Sequence, residues 1–322
     1  MLIKENWLSF LNEKRITDPQ YSYEYASLTS KSEMFAVEEN GMSALLIFQY
    51  DGKSRSFETP YGYGSFWTNT SDEVFINEFF ASFYAEMSKR GCVAGLIRYN
   101  PFVILPKTEL VKNEYVREVV CVDLTQNYLK NVKRRTLGDI NRAKKHEINL
   151  KISTEEEDFI EFENIYKELM TEKNAEKELL FGVDYFRKLS KLKNSMLVCA
   201  RRENELIGGA SFLFGAEMSY YHLSAVREKK RYPGLSSLIL SIGIEKVQEM
   251  KGKKILLGGG TTSAKDDPLL FFKEGFSPIK FPFCIGKMTI DEKEYRELTS
   301  KHDVQYPHSK RLFLRYKYEV AL

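Results

Sequence analysis

The fold is decided by residues 195–240, SMLVCARRENELIGGASFLFGAEMSYYHLSAVREKKRYPGLSSLIL. Three apolar runs, at 195–202, 206–215 and 218–226, are separated by short polar turns, which is typical of consecutive antiparallel strands. Residues 234–250 then carry apolar side chains at roughly helical spacing. The stretch therefore predicts a three-stranded meander followed by an amphipathic helix.

The residues that follow continue this alternation. KKILLGGG (253–260) predicts a strand that ends in three glycines. PLLFFKEGF (268–276) predicts a helix, because Pro268 stands where proline is favoured, in the first turn. IKFPFCIGKMTI (279–290) predicts a final strand.

The first half repeats the same order less clearly. EMFAVEENGMSALLIFQY (33–50) predicts a hairpin around Asn40-Gly41, which is a strong hairpin signal. DEVFINEFFASFYAEMSKRG (72–91) predicts a helix that stops at its final glycine, and residues 92–102 predict the strand after it. Similar order in two halves indicates an old duplication, although no residue-level repeat is found.

A basic segment joins the two halves. DLTQNYLKNVKRRTLGDINRAKKHEINLKI (123–152) predicts a helix, with Thr125 as its N-cap. Its cationic side chains are Lys130, Lys133, Arg134, Arg135, Arg142, Lys144 and Lys145. This segment is interpreted in two ways, as a solvated linker helix or as a cationic wall facing an anionic substrate.

Composition narrows the class of protein. A chain of 322 residues that is 43% hydrophobic can build two ordinary domains, and a net charge of +3 argues against sequence-independent nucleic-acid binding. The four cysteines lack CxxC spacing, so we expect reduced, buried thiols and no metal site. With neither a signal peptide nor a long apolar run, we expect a cytoplasmic protein without membrane insertion.

The turn before the helix predicted at 234–250 has the features of a phosphate site. Backbone N–H groups in a helix's first turn lack helical partners, and a glycine before them lets an anion approach. The residues proposed to bind such an anion are Ala225, Val226, Arg227, Arg231, Gly234, Leu235, Ser236 and Ser237. The plainer alternative is a loop that precedes a buried helix.

These segments resemble a known family. A meander followed by an Arg-x-x-Gly turn and a helix resembles the acyl-CoA-binding half of GNAT N-acyltransferases, although Leu235 and Ser236 replace glycine-like positions. KRRTLGDINRAKKHEINLKI, LLGGGTTSAKDDPLLFFKEGF, ETPYGYGSF and LIRYNPF resemble segments of Fem-like tandem-GNAT proteins, in that family's order. The matches run from about residue 58 to residue 285.

The resemblance implies a fold and its boundaries. We expect an α+β protein with two tandem GNAT-like domains, each a mixed, largely antiparallel sheet flanked by helices. The expected divisions are an N-terminal, acceptor-side domain at 1–124, a connecting helix at 125–150 and a donor-binding domain at 151–322.

The resemblance also implies a reaction. Some Fem-like proteins resemble acyl-CoA-dependent enzymes that acylate an amino sugar on a nucleotide carrier, for surface polysaccharides such as O-antigen or capsule. Others resemble peptidoglycan bridge builders that use aminoacyl-tRNA and usually carry a coiled-coil arm. No sustained heptad pattern occurs here, so acyl-CoA is the expected co-substrate, and tRNA enters only under the alternative. DNA is not expected as a partner, and a homodimer is left open.

Direct attack of an amine on a thioester needs no nucleophilic triad, and the sequence shows none. His222 is the first candidate for a base, because its strand flanks the donor in the GNAT fold. Asp266 and Asp267 are alternatives. Each residue also has a purely structural interpretation, as a core histidine or as a turn that begins a helix.

The acceptor is expected to contact aromatic, cationic and glycine residues. Aromatic rings stack on bases or sugars, and arginine binds a diphosphate through two hydrogen bonds. The candidates are Tyr61, Tyr63, Arg98, Asn100, Arg134, Gly259 and Lys273. A binding module that has kept the fold without catalysis, as a sensor of an anionic metabolite, is the rival from another class.

Overall fold

A computed structural model of the chain describes residues 4–173, 179–264, 266–306 and 312–317. The α-helices are α1 Lys4–Glu13, α2 Tyr23–Ala26, α3 Glu73–Lys89, α4 Arg134–Ala143, α5 Glu156–Glu172, α6 Val183–Ser190, α7 Leu235–Glu249, α8 Pro268–Lys273 and α9 Glu292–Gln305. The strands are β1 Glu33–Glu39, β2 Met42–Asp51, β3 Ser56–Glu58, β4 Phe66–Thr68, β5 Ala94–Arg98, β6 Lys112–Asp123, β7 Asn149–Ser153, β8 Ser195–Arg202, β9 Glu205–Leu213, β10 Ser219–Val226, β11 Lys254–Gly259 and β12 Lys280–Thr289.

The chain forms two compact units. Unit 1 comprises Met1–Ile16, Gln20–Val116 and Pro282–Leu322, and unit 2 comprises Thr17–Pro19 and Arg117–Phe281. Unit 1 therefore contains residues that the sequence assigned to a C-terminal domain, and the expected boundaries at 124 and 151 fall within unit 2.

Unit 1 is a mixed sheet covered by a phenylalanine-rich helix. Its strand order is β1-β2-β3-β5-β12, with β4 also paired to β2. β1 and β2 form the predicted hairpin, in which Asn40 and Gly41 both have positive φ. α3 begins after Asp72, whose carboxylate accepts from the Phe75 N–H, and ends before Gly91, as predicted. Its buried face packs Phe79 and neighbouring phenylalanines into the core.

Unit 2 contains the predicted meander. Its strand order is β6-β11-β10-β9-β8-β7, with β8, β9 and β10 antiparallel and β10 parallel to β11. Helices cover both faces of this sheet. Adjacent residues of β9 point to opposite faces, so they contact different helices. Ala210 lies in the core that α4 and α7 share, whereas a Cβ at Gly209 would meet the Phe162 ring of α5.

The basic helix predicted at 125–150 is wrong in its extent. Residues Tyr128–Asn131 form a short 3-10 helix, α4 covers only Arg134–Ala143, and β7 begins at Asn149. The break follows from the extended backbone of Val132, and the 3-10 helix is held by the Tyr128 hydroxyl, which lies 3.1 Å from the Ser241 hydroxyl. Asn127, not Thr125, caps this segment by accepting from the Leu129 N–H.

The four cysteines are free and buried, as predicted. Burial raises the pKa of the Cys92, Cys121 and Cys199 thiols to about 12. In the part of the chain that the structure describes, no cluster of His, Cys, Asp or Glu is placed to hold a metal ion. Within the same residues, no helix is long and apolar enough to cross a bilayer.

Glu58 anchors a charge network in unit 1. Its carboxylate accepts from Arg98 Nη2 at 3.0 Å and from Lys317 Nζ. Burial opposes ionisation of this carboxyl, but the two cations outweigh it and lower its pKa from 4.5 to about 2. Ionised Glu58 therefore stabilises the fold above the unfolded pKa, and this stabilisation is lost as the pH falls from about 4.5 towards 2.

We expect Glu58→Gln to lower the free energy of unfolding by about 3 kcal/mol at neutral pH, because it leaves two cations without their shared carboxylate. The difference from the wild type should shrink as the pH falls below about 4.5. Urea unfolding at pH 7 and pH 3.5 measures both effects. Glu39→Gln, at an exposed strand end, is the control, and an equal loss in both variants would refute the network.

Candidate functional site

Unit 2 contains an opening between two neighbouring strands. β10 and β11 pair only through Ser219–Ile255 and Tyr220–Leu256. Beyond these pairs β10 stays on β9, where the Arg227 N–H donates to the Ile207 carbonyl. Since backbone groups alternate along a strand, those of Ser224 and Val226 face the side that β11 has left. An extended ligand chain can hydrogen-bond to this edge, which β11 does not pair with.

Irregularities in both strands accompany the opening. The β10–β9 register shifts between Tyr221 and Leu223, so His222 occupies a bulge. The β11–β6 register shifts between Leu256 and Gly258, and Gly258 has a φ of 78°. Bulges bend a strand and increase its twist, which accounts for the separation.

His222 is held by Tyr185 of α6. Its Nε2 lies 2.6 Å from the Tyr185 hydroxyl, and the two rings are nearly parallel with centroids 6.1 Å apart. Burial lowers the pKa of His222 to about 3, so the imidazole is neutral at physiological pH. It can therefore orient a ligand by hydrogen bonding, but it takes up a proton only weakly.

The predicted phosphate-binding turn adopts its expected helical geometry. Gly234 is the N-cap of α7 with a φ of 85°, and the N–H of Leu235 donates to the Tyr232 carbonyl. No hydrogen bond from the Ser236 or Ser237 N–H is found within the described residues. These two amides carry the positive end of the helix dipole.

Two features of this turn differ from the sequence interpretation. A Cβ at Gly234 would stand 2.1 Å from the Asp139 carbonyl oxygen, so the close approach that requires glycine is made by α4. Arg227 binds Glu168 through two hydrogen bonds of 2.8 and 2.6 Å, and Arg231 pairs with Glu228. Both arginines are thus committed to carboxylates. A side chain at Gly234 would disturb the protein itself, and its effect would not report on a ligand.

The glycine triplet packs against protein groups. A Cβ at Gly259 would meet the Glu118 carbonyl oxygen at 2.5 Å, and one at Gly260 would meet the Asp267 side chain at 2.5 Å. Lys273 is buried and donates to the Gly259 carbonyl at 2.7 Å, while Arg117 donates to the Gly260 carbonyl. Burial, with the nearby Arg117 charge, lowers the pKa of Lys273 to about 7.

Asp267 is fully engaged as an acceptor. Its carboxylate accepts from the N–H groups of Leu269 and Leu270, and from both the N–H and the hydroxyl of Thr261 and Thr262, at 2.7–3.0 Å. Although burial opposes ionisation, these bonds hold the pKa of Asp267 well below its usual range. Asp267 therefore holds the loop and caps α8 rather than accepting a proton. Asp266 is exposed.

The predicted acceptor residues of unit 1 have protein partners. Arg98 binds the Thr59 carbonyl as well as Glu58. Asn100 is buried and accepts from the Phe102 N–H in a local turn. The Tyr61 carbonyl accepts from Tyr25 at 2.9 Å. Tyr63 donates its N–H to Gln20, and its ring packs edge-on against Phe283.

Other polar residues at the site carried no sequence signal. Tyr185 lies in FGVDYF and Arg117 in YVREVV, segments without a motif. Asp18, in the short N-terminal segment of unit 2, accepts from the Tyr220 hydroxyl at 2.5 Å. Arg134, by contrast, was predicted and is exposed at the start of α4. Only the folded chain brings such distant residues together.

Comparison with solved structures defines the fold. A FemX structure aligns with a TM-score of 0.65 at 11% identity, covering 92% of this chain and 98% of that one. L-PGS from Bacillus licheniformis aligns with a TM-score of 0.59 at 14% identity, covering 88% of this chain and 90% of that one. A tandem GNAT protein from the clavulanic acid biosynthesis pathway aligns with a TM-score of 0.51 at 12% identity, covering 80% of this chain and 83% of that one. The chain therefore has a Fem-like, GNAT-like fold of mixed α/β type.

No protein-family model matches the chain, and no curated protein matches its sequence. The similarity to the solved structures lies below 25% identity and extends to the fold alone.

We expect Asp267→Asn to destabilise unit 2 by about 2 kcal/mol, because an amide nitrogen in place of one oxygen cannot accept from the N–H groups that this carboxylate binds. Thermal unfolding measures the loss. Asp266→Asn makes the same carboxylate-to-amide change at the neighbouring exposed residue and should leave the thermal stability unchanged. Equal stability of the two variants would contradict the capping role.

Lys273 should make stability depend on alkaline pH. Its folded pKa of about 7 lies below the ordinary lysine pKa of 10.5, so between these values the unfolded chain binds more protons. Stability then rises with pH by up to roughly 1.4 kcal/mol per unit. Chemical denaturation at pH 7, 8 and 9 should show this rise in the wild type and a flatter profile in Lys273→Met. Parallel profiles would show that Lys273 titrates normally.

Proposed function

We propose that this protein is a GNAT-type N-acyltransferase that moves an acyl group from acyl-CoA to the amine of an amino sugar nucleotide. The observation that carries the proposal is the opening between β10 and β11. The two strands share one end and then separate, leaving the backbone groups of Ser224 and Val226 for an extended chain that contains amides. The pantetheine arm of coenzyme A is such a chain.

The donor's phosphates would lie at the end of this opening. β10 leads through the 227–234 loop directly into α7, whose Ser236 and Ser237 N–H groups have no partner within the described part of unit 2. A pyrophosphate there would receive two backbone hydrogen bonds and the favourable helix dipole. Arg227 and Arg231 are paired with carboxylates of the protein, so they support the loop but add no unpaired positive charge for the phosphates.

The proposed chemistry is direct attack of a neutral amine on the thioester carbonyl. The nitrogen–carbon bond forms, the carbon–sulfur bond breaks, and the proton lost by the amine ends on the departing thiolate. A group with a pKa near the working pH transfers protons most effectively. Lys273, with a pKa of about 7, meets that condition better than His222, with a pKa of about 3. His222 is left with orientation of the reactants.

The amino sugar nucleotide is proposed from the resemblance of the sequence to acyl-CoA-dependent Fem-like enzymes. Within unit 2, Arg134 supports an anionic acceptor, because its guanidinium is exposed and has no ion pair with any described residue. The product would serve the synthesis of surface polysaccharide.

A second candidate function is transfer from aminoacyl-tRNA. One observation favours it: the α4 backbone already fills the space beside Gly234. In this reaction an ester replaces the thioester, and the α7 amides need not bind a pyrophosphate.

A substitution that adds one negative charge at the start of α7 distinguishes the two candidate functions. We expect Ser236→Asp to weaken coenzyme A binding at least tenfold, because a carboxylate beside the free amides repels the pyrophosphate. The same carboxylate favours the helix N-terminus, so the fold should not suffer. Isothermal titration with coenzyme A measures the effect.

The matched control is Ser236→Asn, which has the same shape without charge and should bind coenzyme A almost as the wild type does. If the Asp and Asn variants bind coenzyme A with equal affinity, the pyrophosphate does not bind at the start of α7. Absence of coenzyme A binding to the wild type, together with salt-dependent binding of charged tRNA, would favour the second candidate.

A further inference from the structure

The surface formed by α4 and α8 presents an aromatic ring stacked on a cation. Phe271 is 56% exposed. The guanidinium carbon of Arg135 lies 3.1 Å from the centroid of its ring. Arg135 Nη2 also donates to the Phe271 backbone carbonyl at 2.5 Å, which holds the guanidinium against α8.

The two helices are joined tightly at this point. The Lys133 N–H donates to the Gly275 carbonyl at 2.8 Å, and Lys133 Nζ lies 3.7 Å from the Glu274 carboxylate. A Cβ at Gly275 would stand 2.2 Å from the Thr136 hydroxyl, so only glycine permits the contact. The ring and the neighbouring arginines are therefore carried by backbone elements in fixed register.

The positive charge here is not neutralised within the described chain. Arg135 makes its hydrogen bond to a carbonyl, and no described carboxylate pairs with it. Arg134, beside it, is exposed and has neither an ion pair nor a side-chain hydrogen bond to a described residue. A stacked ring with one open face and two uncompensated guanidinium groups is the chemistry that recognises a base and its phosphates.

We propose that the α4–α8 surface, defined by Arg134, Arg135 and Phe271, binds the nucleotide end of the acceptor. The base stacks on the free face of Phe271, with Arg135 on the other face, and the diphosphate pairs with Arg134. This assignment rests on the proposed transfer to a nucleotide-linked amine, and it places recognition of the carrier in unit 2.

The position of the surface suits that role. Lys273 is two residues beyond Phe271 in α8 and turns inward to the Gly259 carbonyl, at the end of β11. Residues two apart lie on roughly opposite sides of a helix, so the ring faces solvent while the amine faces the end of β11. α8 thus connects the proposed nucleotide surface to the end of β11.

The test is calorimetric titration of the full chain with dTDP, a nucleoside diphosphate that lacks the amino sugar. We expect saturable binding that weakens at least about tenfold in Phe271→Ala and in Arg134→Gln. Phe271→Tyr, which keeps a planar ring, should retain binding, whereas Phe271→Leu, which keeps only apolar bulk, should not. Phe271→Trp adds a signature of stacking, because dTDP should quench its fluorescence.

The Ser236→Asp variant separates this inference from the proposed function. It should leave dTDP binding unchanged while weakening coenzyme A binding, and Phe271→Ala should leave coenzyme A binding unchanged. Coenzyme A binding without dTDP binding, or dTDP binding indifferent to Phe271 and Arg134, overturns the inference and leaves the transferase proposal standing. Binding of an RNA hairpin ending in CCA, but not of dTDP, with the same dependence on Phe271 also overturns it.

Discussion

The separation of β10 from β11 defines the candidate site of unit 2. Two paired residues hold the strands together at one end, and bulges at His222 and before Gly258 force them apart beyond it. A sheet seldom leaves backbone groups exposed in its interior, because each unpaired group that is buried costs about 1–3 kcal/mol. The opening is therefore stable only where water or a ligand supplies the missing partners, which is the property that a binding site for an extended donor needs.

The elements around the opening each fix one of its sides. Tyr185 of α6 holds the bulged His222, and Lys273 of α8 holds the end of β11 through the Gly259 carbonyl. α4 packs against Gly234 at the start of α7. Asp267, a candidate base in the sequence, provides part of this support by accepting several hydrogen bonds at once. The framework is thus built from charged and polar groups whose partners lie within the chain.

Local sequence patterns predicted the helices and strands well, but they did not predict the tertiary contacts. The 195–226 meander, the Asn40-Gly41 hairpin and the Gly91 helix end are confirmed, because alternation, turn residues and caps act over a few residues. The single helix at 125–150 is wrong in its extent, since the extended backbone of Val132 interrupts it. A glycine such as Gly234 signals a close approach without revealing whether a ligand or Asp139 makes it. The domain boundaries and the roles of the site residues stay predictions.

If the opening between β10 and β11 receives the acyl donor, a bound donor should protect the backbone amides that line it. The experiment is hydrogen–deuterium exchange of the full chain with and without saturating acetyl-CoA. We expect slower exchange in peptides that cover Leu223–Val226 and the first turn of α7, with little change in β8. Unchanged exchange in both regions, or protection confined to unit 1, would contradict it.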